Sequence, residues 1–301
     1  MGPTAAGKTA LAVSLAERLP IEIVSVDSAL VYRGMDIGTA KPEPHVLAQI
    51  RHHLVNILEP TEAYSAAQFR TDALHAVEQI LARGRVPLLT GGTMLYFRAL
   101  QHGLAELPPA DPAIRDRLED EARAQGWAAL HARLAKVDPE AAGRIHANDP
   151  QRIQRALEVF ELTGKPLSSL QGRSGGEPFP YPLAKWVVAP RDRAWLHLRI
   201  EARFRQMLAE GLVEEVASLR SRGDLDLSMP SMRAVGYRQV WEYLEGRYDY
   251  ETMVERGIVA TRQFAKRQFT WLRSDTGAEW FASEDEGLGD RLAARAVAMW
   301  R

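Results

Sequence analysis

Short apolar runs alternate with helical periods along the first hundred positions. Residues 21–26 (IEIVSV) make a β-branched run that stops at Asp27-Ser28. Residues 86–90 (VPLLT) make a second run that stops at Gly91-Gly92-Thr93. Both are short, continuous and closed by turn residues, which predicts buried strands of a parallel sheet. Around them lie helical periods: 10–18 (ALAVSLAER), rich in strong helix formers, 65–83 with Ser65 as its cap, and a helix opening at Met94. Strands alternating with helices predict a parallel, doubly wound sheet, in which ligands sit beyond the carboxyl ends of the strands.

From Leu107 the pattern changes. Pro108-Pro109-Ala110-Asp111-Pro112 breaks any regular element, and 113–135 and 150–163 then read as helices. Gly172 to Pro182 is rich in Gly, Pro and Ser and predicts a mobile loop. A strand pattern returns at 185–189, followed by helical stretches at 192–222, 233–245, 250–272 and 288–300. The predicted architecture is α/β: a P-loop NTPase-like parallel sheet core flanked by helices over 1–106 and 181–301. An all-helical insertion spans 107–180.

Composition narrows this picture only a little. The chain has 301 residues, 46% hydrophobic and 26% charged, as expected of a soluble globular protein with a sizeable core. It contains no cysteine, which excludes disulfides, thiolate metal sites and a catalytic thiol. No apolar run reaches the ~20 residues that span a bilayer, and no signal peptide is visible, so the expected location is the cytoplasm. A net charge of −1 means that any nucleic-acid contact must come from local basic patches. His52-His53 lacks spaced partners for a metal and reads as structural.

The chemistry begins at the first residues. Gly2-Pro3-Thr4-Ala5-Ala6-Gly7-Lys8-Thr9 has the phosphate-loop spacing G-x-x-x-x-G-K-[ST]. Such a loop curls its amides around an anion, its lysine reaches the outer phosphates, and its hydroxyl, here that of Thr9, holds Mg²⁺. The dipole of the following helix adds to the same site. Only Met1 precedes the loop, where a buried strand is the rule, so an N-terminal segment is expected to be missing from the chain. Asp27 and Thr93 fall at strand ends, on the same rim as the loop. Three chemistries remain open on these residues: an ATP hydrolase, a small-molecule kinase, and a transferase that releases diphosphate. Asp27 serves any of them, as a Mg²⁺-supporting acid or as a base.

The rest of the chain carries a resemblance. Ser25-Val26-Asp27-Ser28-Ala29-Leu30-Val31-Tyr32, Gly38-Thr39-Ala40-Lys41-Pro42 and Gly91-Gly92-Thr93-Met94-Leu95-Tyr96 follow the phosphate loop in this order. Asn148-Asp149-Pro150-Gln151-Arg152, Val235-Gly236-Tyr237-Arg238-Gln239 and Thr261-Arg262-Gln263-Phe264-Ala265-Lys266-Arg267-Gln268 come after them. Together they resemble the tRNA dimethylallyltransferases, in the bacterial form without a C-terminal zinc finger, over nearly the whole chain.

The resemblance implies transfer of a dimethylallyl group from dimethylallyl diphosphate to N6 of the adenosine 3′ of the anticodon, with release of diphosphate. It makes Asp27 the general base. The loop Gly2, Pro3, Thr4, Ala5, Ala6, Gly7, Lys8 and Thr9, with Arg203 and Mg²⁺, becomes the cradle of the leaving diphosphate. Thr4 is placed to bond the diphosphate or to orient Asp27. Asp27, Ser28, Ala29 and Leu30 line the base pocket. Thr93 and Arg115 join the tRNA contacts, as do Gln151, Arg152, Ile153, Gln154 and Arg155 at one helix start. Arg233, Tyr237, Arg238, Lys266, Arg267 and Arg273 extend the positive footprint. The partners so implied are the tRNA anticodon stem-loop and the diphosphate donor. Apart from the resemblance, no membrane and no obligate protein partner are expected, and the oligomeric state is open, with a monomer as the expectation.

Overall fold

The computed structural model describes residues 1–171 and 176–299. Two compact units divide the chain: Met1–Leu100 with Pro182–Arg301, and Gln101–Tyr181, where the sequence places an insertion at 107–180. Of the mobile loop expected at 172–182, residues 172–175 lie outside the described residues.

The first unit opens with α1 (Lys8–Arg18), β1 (Ile21–Val26), α2 (Pro44–Gln49), β2 (His52–His53), α3 (Ala66–Ala82), β3 (Val86–Gly91) and α4 (Met94–His102). The helical unit holds α5 (Pro112–Gln125), α6 (Trp127–Val137), α7 (Pro139–Arg144), α8 (Pro150–Thr163) and α9 (Leu167–Gln171). The first unit resumes with β4 (Trp186–Ala189), α10 (Arg193–Ala209), α11 (Leu212–Ser221), α12 (Tyr237–Leu244), α13 (Tyr250–Ser274), β5 (Glu279–Ala282) and α14 (Leu288–Met299).

The sheet is small and parallel. Its order is β2-β1-β3, with β1 and β3 paired from Ile21–Val86 to Val26–Gly91. A second parallel pair, β4-β5, runs in register from Trp186–Glu279 to Ala189–Ala282. β1 is buried at all six positions, as a central parallel strand must be, hence its unbroken apolar sequence. Met1 lies against β4: its amine donates to the Trp186 carbonyl at 2.7 Å and its carbonyl accepts from the Val188 amide at 2.9 Å. These bonds tie the start of the phosphate loop to β4.

Two expected long helices are broken. Gly126 (φ 82°) divides α5 from α6, and Gly211 (φ 101°) divides α10 from α11; both sit in the left-handed region that glycine enters without strain. α3 begins on the capping box that Ser65 announced, with Ser65 Oγ accepting from the Gln68 amide and Gln68 Oε1 accepting from the Ser65 amide. Beneath the segment after β1, Val31, Tyr32 and Met35 pack with Phe204, Leu212, Tyr237, Trp241 and Met253. That core fixes the floor on which the polar residues after Asp27 rest.

One buried charge stands in β1. Glu22 receives Arg83 as a fork (Nε at 3.0 Å, Nη2 at 2.8 Å), and His53 Nε2 lies 2.7 Å from it, so the His52-His53 pair serves the fold. The Arg83 bonds, seconded by His53, hold the Glu22 carboxyl at about 2, against the opposing cost of burial. A depressed carboxyl contributes stability that is complete above its unfolded pKa of 4.5 and is lost as pH falls through 2. The difference is about 3 kcal/mol. Glu22→Gln is therefore expected to lose about that much at neutral pH and to show a flatter acid limb below pH 4.5 in urea unfolding. Parallel pH curves for the two proteins would contradict this.

Candidate active site

The first nine residues form the loop that leads into α1. Ala5 takes a left-handed turn (φ 61°), Gly7 caps α1 at φ 83°, and α1 then starts at Lys8. Loops curled in this way before a helix are suited to binding an anion with their amides and the helix N-terminus. Lys8 Nζ is folded back onto the Pro3 carbonyl at 2.6 Å. Burial draws the Lys8 amine down to about 8, with the Asp27 carboxylate opposing and Arg203 adding to the fall. Its charge is thus held in a half-buried place without a close counter-ion, the setting in which a phosphate oxygen binds strongly.

α10 supplies two more cations, one turn apart. Arg199 Nε donates to the Ala5 carbonyl at 3.0 Å while its guanidinium lies 4.7 Å from the Trp195 ring centroid. Arg203 is half-buried and makes no hydrogen bond or ion pair among the described residues. Burial depresses its pKa, Asp27 raises it, and Arg199 depresses it further. Lys8 and Arg203 therefore feel each other and Asp27 at once.

Asp27 stands at the carboxyl end of β1. Its Oδ1 accepts the Ala29 amide at 2.9 Å and the Leu30 amide at 3.4 Å, which turns the chain away from the strand. Among the described residues Oδ2 has no hydrogen-bond partner. Thr93, at the end of β3, accepts the Ser28 amide at 3.0 Å. Thr93 thus braces the Asp27 turn from the neighbouring strand. Thr9 is exposed in the first turn of α1, with its hydroxyl unbonded among the described residues. No group of three or more His, Cys, Asp or Glu side chains that could hold a metal exists among them.

The segment beyond Asp27 is pinned from below. Glu215 on α11 accepts the amides of Asp36 and Ile37 at 2.8 Å each and of Gly38 at 3.2 Å. Tyr237 completes this carboxylate by donating its hydroxyl at 2.5 Å; burial and the Glu215 charge push that phenol far up, so the proton stays available. A Cβ on Gly38 would stand 2.5 Å from the Tyr237 ring, which explains the glycine. Lys41, 3% exposed, donates to the Tyr32 carbonyl, Asp36 and Asn56.

The expected RNA contacts separate into two kinds. In the helical unit Glu158 is fully buried and gathers Arg115 in a fork (2.8 and 3.1 Å), Arg155 at 2.6 Å and the Asp111 amide at 2.8 Å. Gln154 donates to the Arg115 carbonyl at 3.1 Å, Gln151 is exposed, and Arg152 lies 3.4 Å from Asp149. Ile153 is wholly inside that unit's core, so its side chain offers RNA no surface. Tyr237 is corrected likewise: it is fully buried and occupied with Glu215. Arg233 is exposed, and Arg238 is exposed but paired with Glu242 at 3.1 Å. Lys266, Arg267 and Arg273 line the exposed face of α13, with Arg267 and Arg273 over the Phe264 and Phe269 rings at 5.9 and 5.7 Å.

The family model for IPP transferase matches residues 30–275. The chain belongs to the IPP transferase family. It is an enzyme of the transferase class. Curated relatives named tRNA dimethylallyltransferase include that of Alkalilimnicola ehrlichii, 65% identical over 97% of this chain and 93% of its own. That of Thioalkalivibrio sulfidiphilus is 62% identical over 93% and 87%. Among solved structures, the tRNA isopentenylpyrophosphate transferase of Bacillus halodurans superposes with a TM-score of 0.71, at 37% identity over 99% of this chain and 94% of its own. A eukaryotic dimethylallyltransferase captured acting on tRNA gives a TM-score of 0.78 at 26% identity, over 98% of this chain and 76% of its own.

Four residues of this IPP transferase escaped the sequence reading: Arg199, Glu215, Glu158 and Gln268. Gln268 ends the Thr261–Gln268 motif, and Arg199 lies one helical turn before Arg203. Either position could have raised the question. Nothing in the sequence marks Glu215 or Glu158, whose partners are backbone amides and arginines brought together by the fold.

Proposed function

We propose that this chain transfers a dimethylallyl group from dimethylallyl diphosphate to N6 of the adenosine 3′ of the anticodon in tRNA. The observation that carries this reading is the meeting of Lys8, Arg203 and Asp27 at one strand end. Both cations are half-buried and both respond to Asp27, whose Oδ2 has no hydrogen-bond partner among the described residues. The name of the curated relatives, tRNA dimethylallyltransferase, supports tRNA as the acceptor and a dimethylallyl group as what is transferred. We read the core as P-loop NTPase-like, with the loop turned from nucleotide binding to leaving-group binding.

The adenine amine attacks C1 of the dimethylallyl group, the C1–O bond breaks, and its electron pair leaves with the diphosphate. The amine proton passes to Asp27 Oδ2, the oxygen not engaged by the Ala29 and Leu30 amides. Lys8, Arg203 and the loop amides meet the charge that grows on the diphosphate. Thr4 and Thr9 extend the cradle. One hydroxyl and one nearby carboxylate suit Mg²⁺, which keeps several waters and takes phosphate oxygens from its substrate. Thr9 would hold it. When bound, it supplies further charge neutralisation to the leaving group. The target base must leave the anticodon stack to reach Asp27, and the segment braced by Glu215, Tyr237 and Lys41 gives it a rigid wall. A tRNA acceptor supports a cytoplasmic reaction. Among the described residues no helix is long and apolar enough to cross a membrane.

Incubation with tRNA, Mg²⁺ and labelled dimethylallyl diphosphate tests the reading, with ATP in a parallel arm. Label should enter tRNA and ATP should not turn over. ATP turnover without prenylation would favour a kinase. The exposed α13 cations make a separate expectation. Each phosphate contact contributes roughly 0.7–0.9 to the slope of log K against log salt. Lys266→Ala with Arg267→Ala should lower the slope for tRNA binding by about 1.5. An unchanged slope would remove α13 from the RNA footprint.

A further inference from the structure

The buried side of α13 faces the reaction centre. Gln268, 4% exposed, is a buried polar residue whose carboxamide is spent wholly on two loops far away in sequence. Its Oε1 accepts the Thr4 amide at 2.8 Å, inside the phosphate loop. Its Nε2 donates to the Gly92 carbonyl at 2.8 Å, in the turn that ends β3. The next residue of that turn, Thr93, accepts the Ser28 amide at 3.0 Å, directly after Asp27. A continuous chain of contacts therefore runs from the phosphate loop through Gln268, Gly92, Thr93 and Ser28 to Asp27.

We propose that Gln268 is a positioning residue that sets the separation between the diphosphate cradle and the base at Asp27. The inference rests on the prenyl-transfer reading of the site. It accounts for the residue type. One partner is a donor and the other an acceptor, so a carboxamide in one orientation serves both. A carboxylate serves Thr4 alone and sets its second oxygen against the Gly92 carbonyl. It also accounts for Gly92: a Cβ there would stand 2.4 Å from Gln268 Nε2, displacing the amide from its place. Because Gln268 shares α13 with Lys266 and Arg267, the helix that carries exposed cations outside also carries the crosspiece of the reaction centre inside.

Misplacing reacting groups by about 1 Å costs on the order of 10²-fold in rate. Gln268→Met keeps the length and removes both bonds; Gln268→Glu keeps one; Gly92→Ala leaves the amide but moves it. For all three we expect kcat/KM for dimethylallyl diphosphate to fall by about 10²-fold. Affinity for inorganic diphosphate should weaken, and KM for tRNA should hold. Wild-type kinetics in the variants, or donor and tRNA constants that worsen together with the melting temperature, would overturn the proposal by reducing Gln268 to a packing residue. Inactivity of the wild-type protein with dimethylallyl diphosphate would instead overturn the functional reading. The effect of Gln268→Met on diphosphate affinity would still decide the crosspiece.

Discussion

Asp27→Asn abolishes most of the transfer while leaving tRNA binding in place. Asparagine retains an oxygen for the Ala29 and Leu30 amides, which Asp27 Oδ1 now accepts at 2.9 and 3.4 Å, so the turn at the end of β1 persists. What disappears is the basic oxygen. Loss of a positioned base is expected to lower the rate about 10²–10⁴-fold. Alanine removes the turn as well as the base, so it should be the worse substitution, with some loss of tRNA affinity. Single-turnover prenylation alongside filter binding of tRNA separates the two effects. An Asn variant transferring at the wild-type rate would mean that the amine proton leaves by another route.

The second large effect concerns the paired cations. Lys8 and Arg203 lie far apart in the chain, yet the Asp27 carboxylate favours the charged form of both. If both hold the leaving diphosphate, removing either should cost about 10²–10³-fold, as removal of a single transition-state donor does elsewhere. Lys8→Met and Arg203→Met separately should each approach that loss, mostly in kcat. The double variant distinguishes two arrangements. Losses that add in free energy mean that each cation serves its own oxygen. A double variant no worse than Lys8→Met means that they share one. Arg203→Lys should recover little, because a point charge does not reproduce a fork across two oxygens.

Much of the candidate site could be read in the sequence, and the reason is chemical. A phosphate loop needs glycine, lysine and hydroxyl at fixed spacing, so Gly7, Lys8 and Thr9 announce themselves. β1 is buried along its full length and ends on Asp27, so a short apolar run places that carboxylate at a strand end. The supporting residues were silent for an equally physical reason. Glu215 holds amides 177 to 179 residues away, and Gln268 holds one 264 residues away. Such contacts impose no local pattern. The same limit explains β5, a four-residue strand (EWFA) whose partner, β4, lies far back in the chain. It also explains Tyr237 and Ile153. Both lie next to arginines and look like parts of an RNA face, but helical periodicity turns them inward to the core while Arg238 and Arg152 point to solvent.

The central claim is that the phosphate loop holds a leaving group while Asp27 accepts the proton of an adenine amine. It is tested most directly by a doubly labelled donor: dimethylallyl diphosphate carrying one isotope in the prenyl carbons and another in both phosphorus atoms, incubated with tRNA. The account predicts that every prenyl group incorporated appears on N6 of the adenosine 3′ of the anticodon after nuclease digestion. An equal amount of intact diphosphate should be released. Phosphorus label entering the RNA, release of orthophosphate, or prenyl label on any other atom would contradict it.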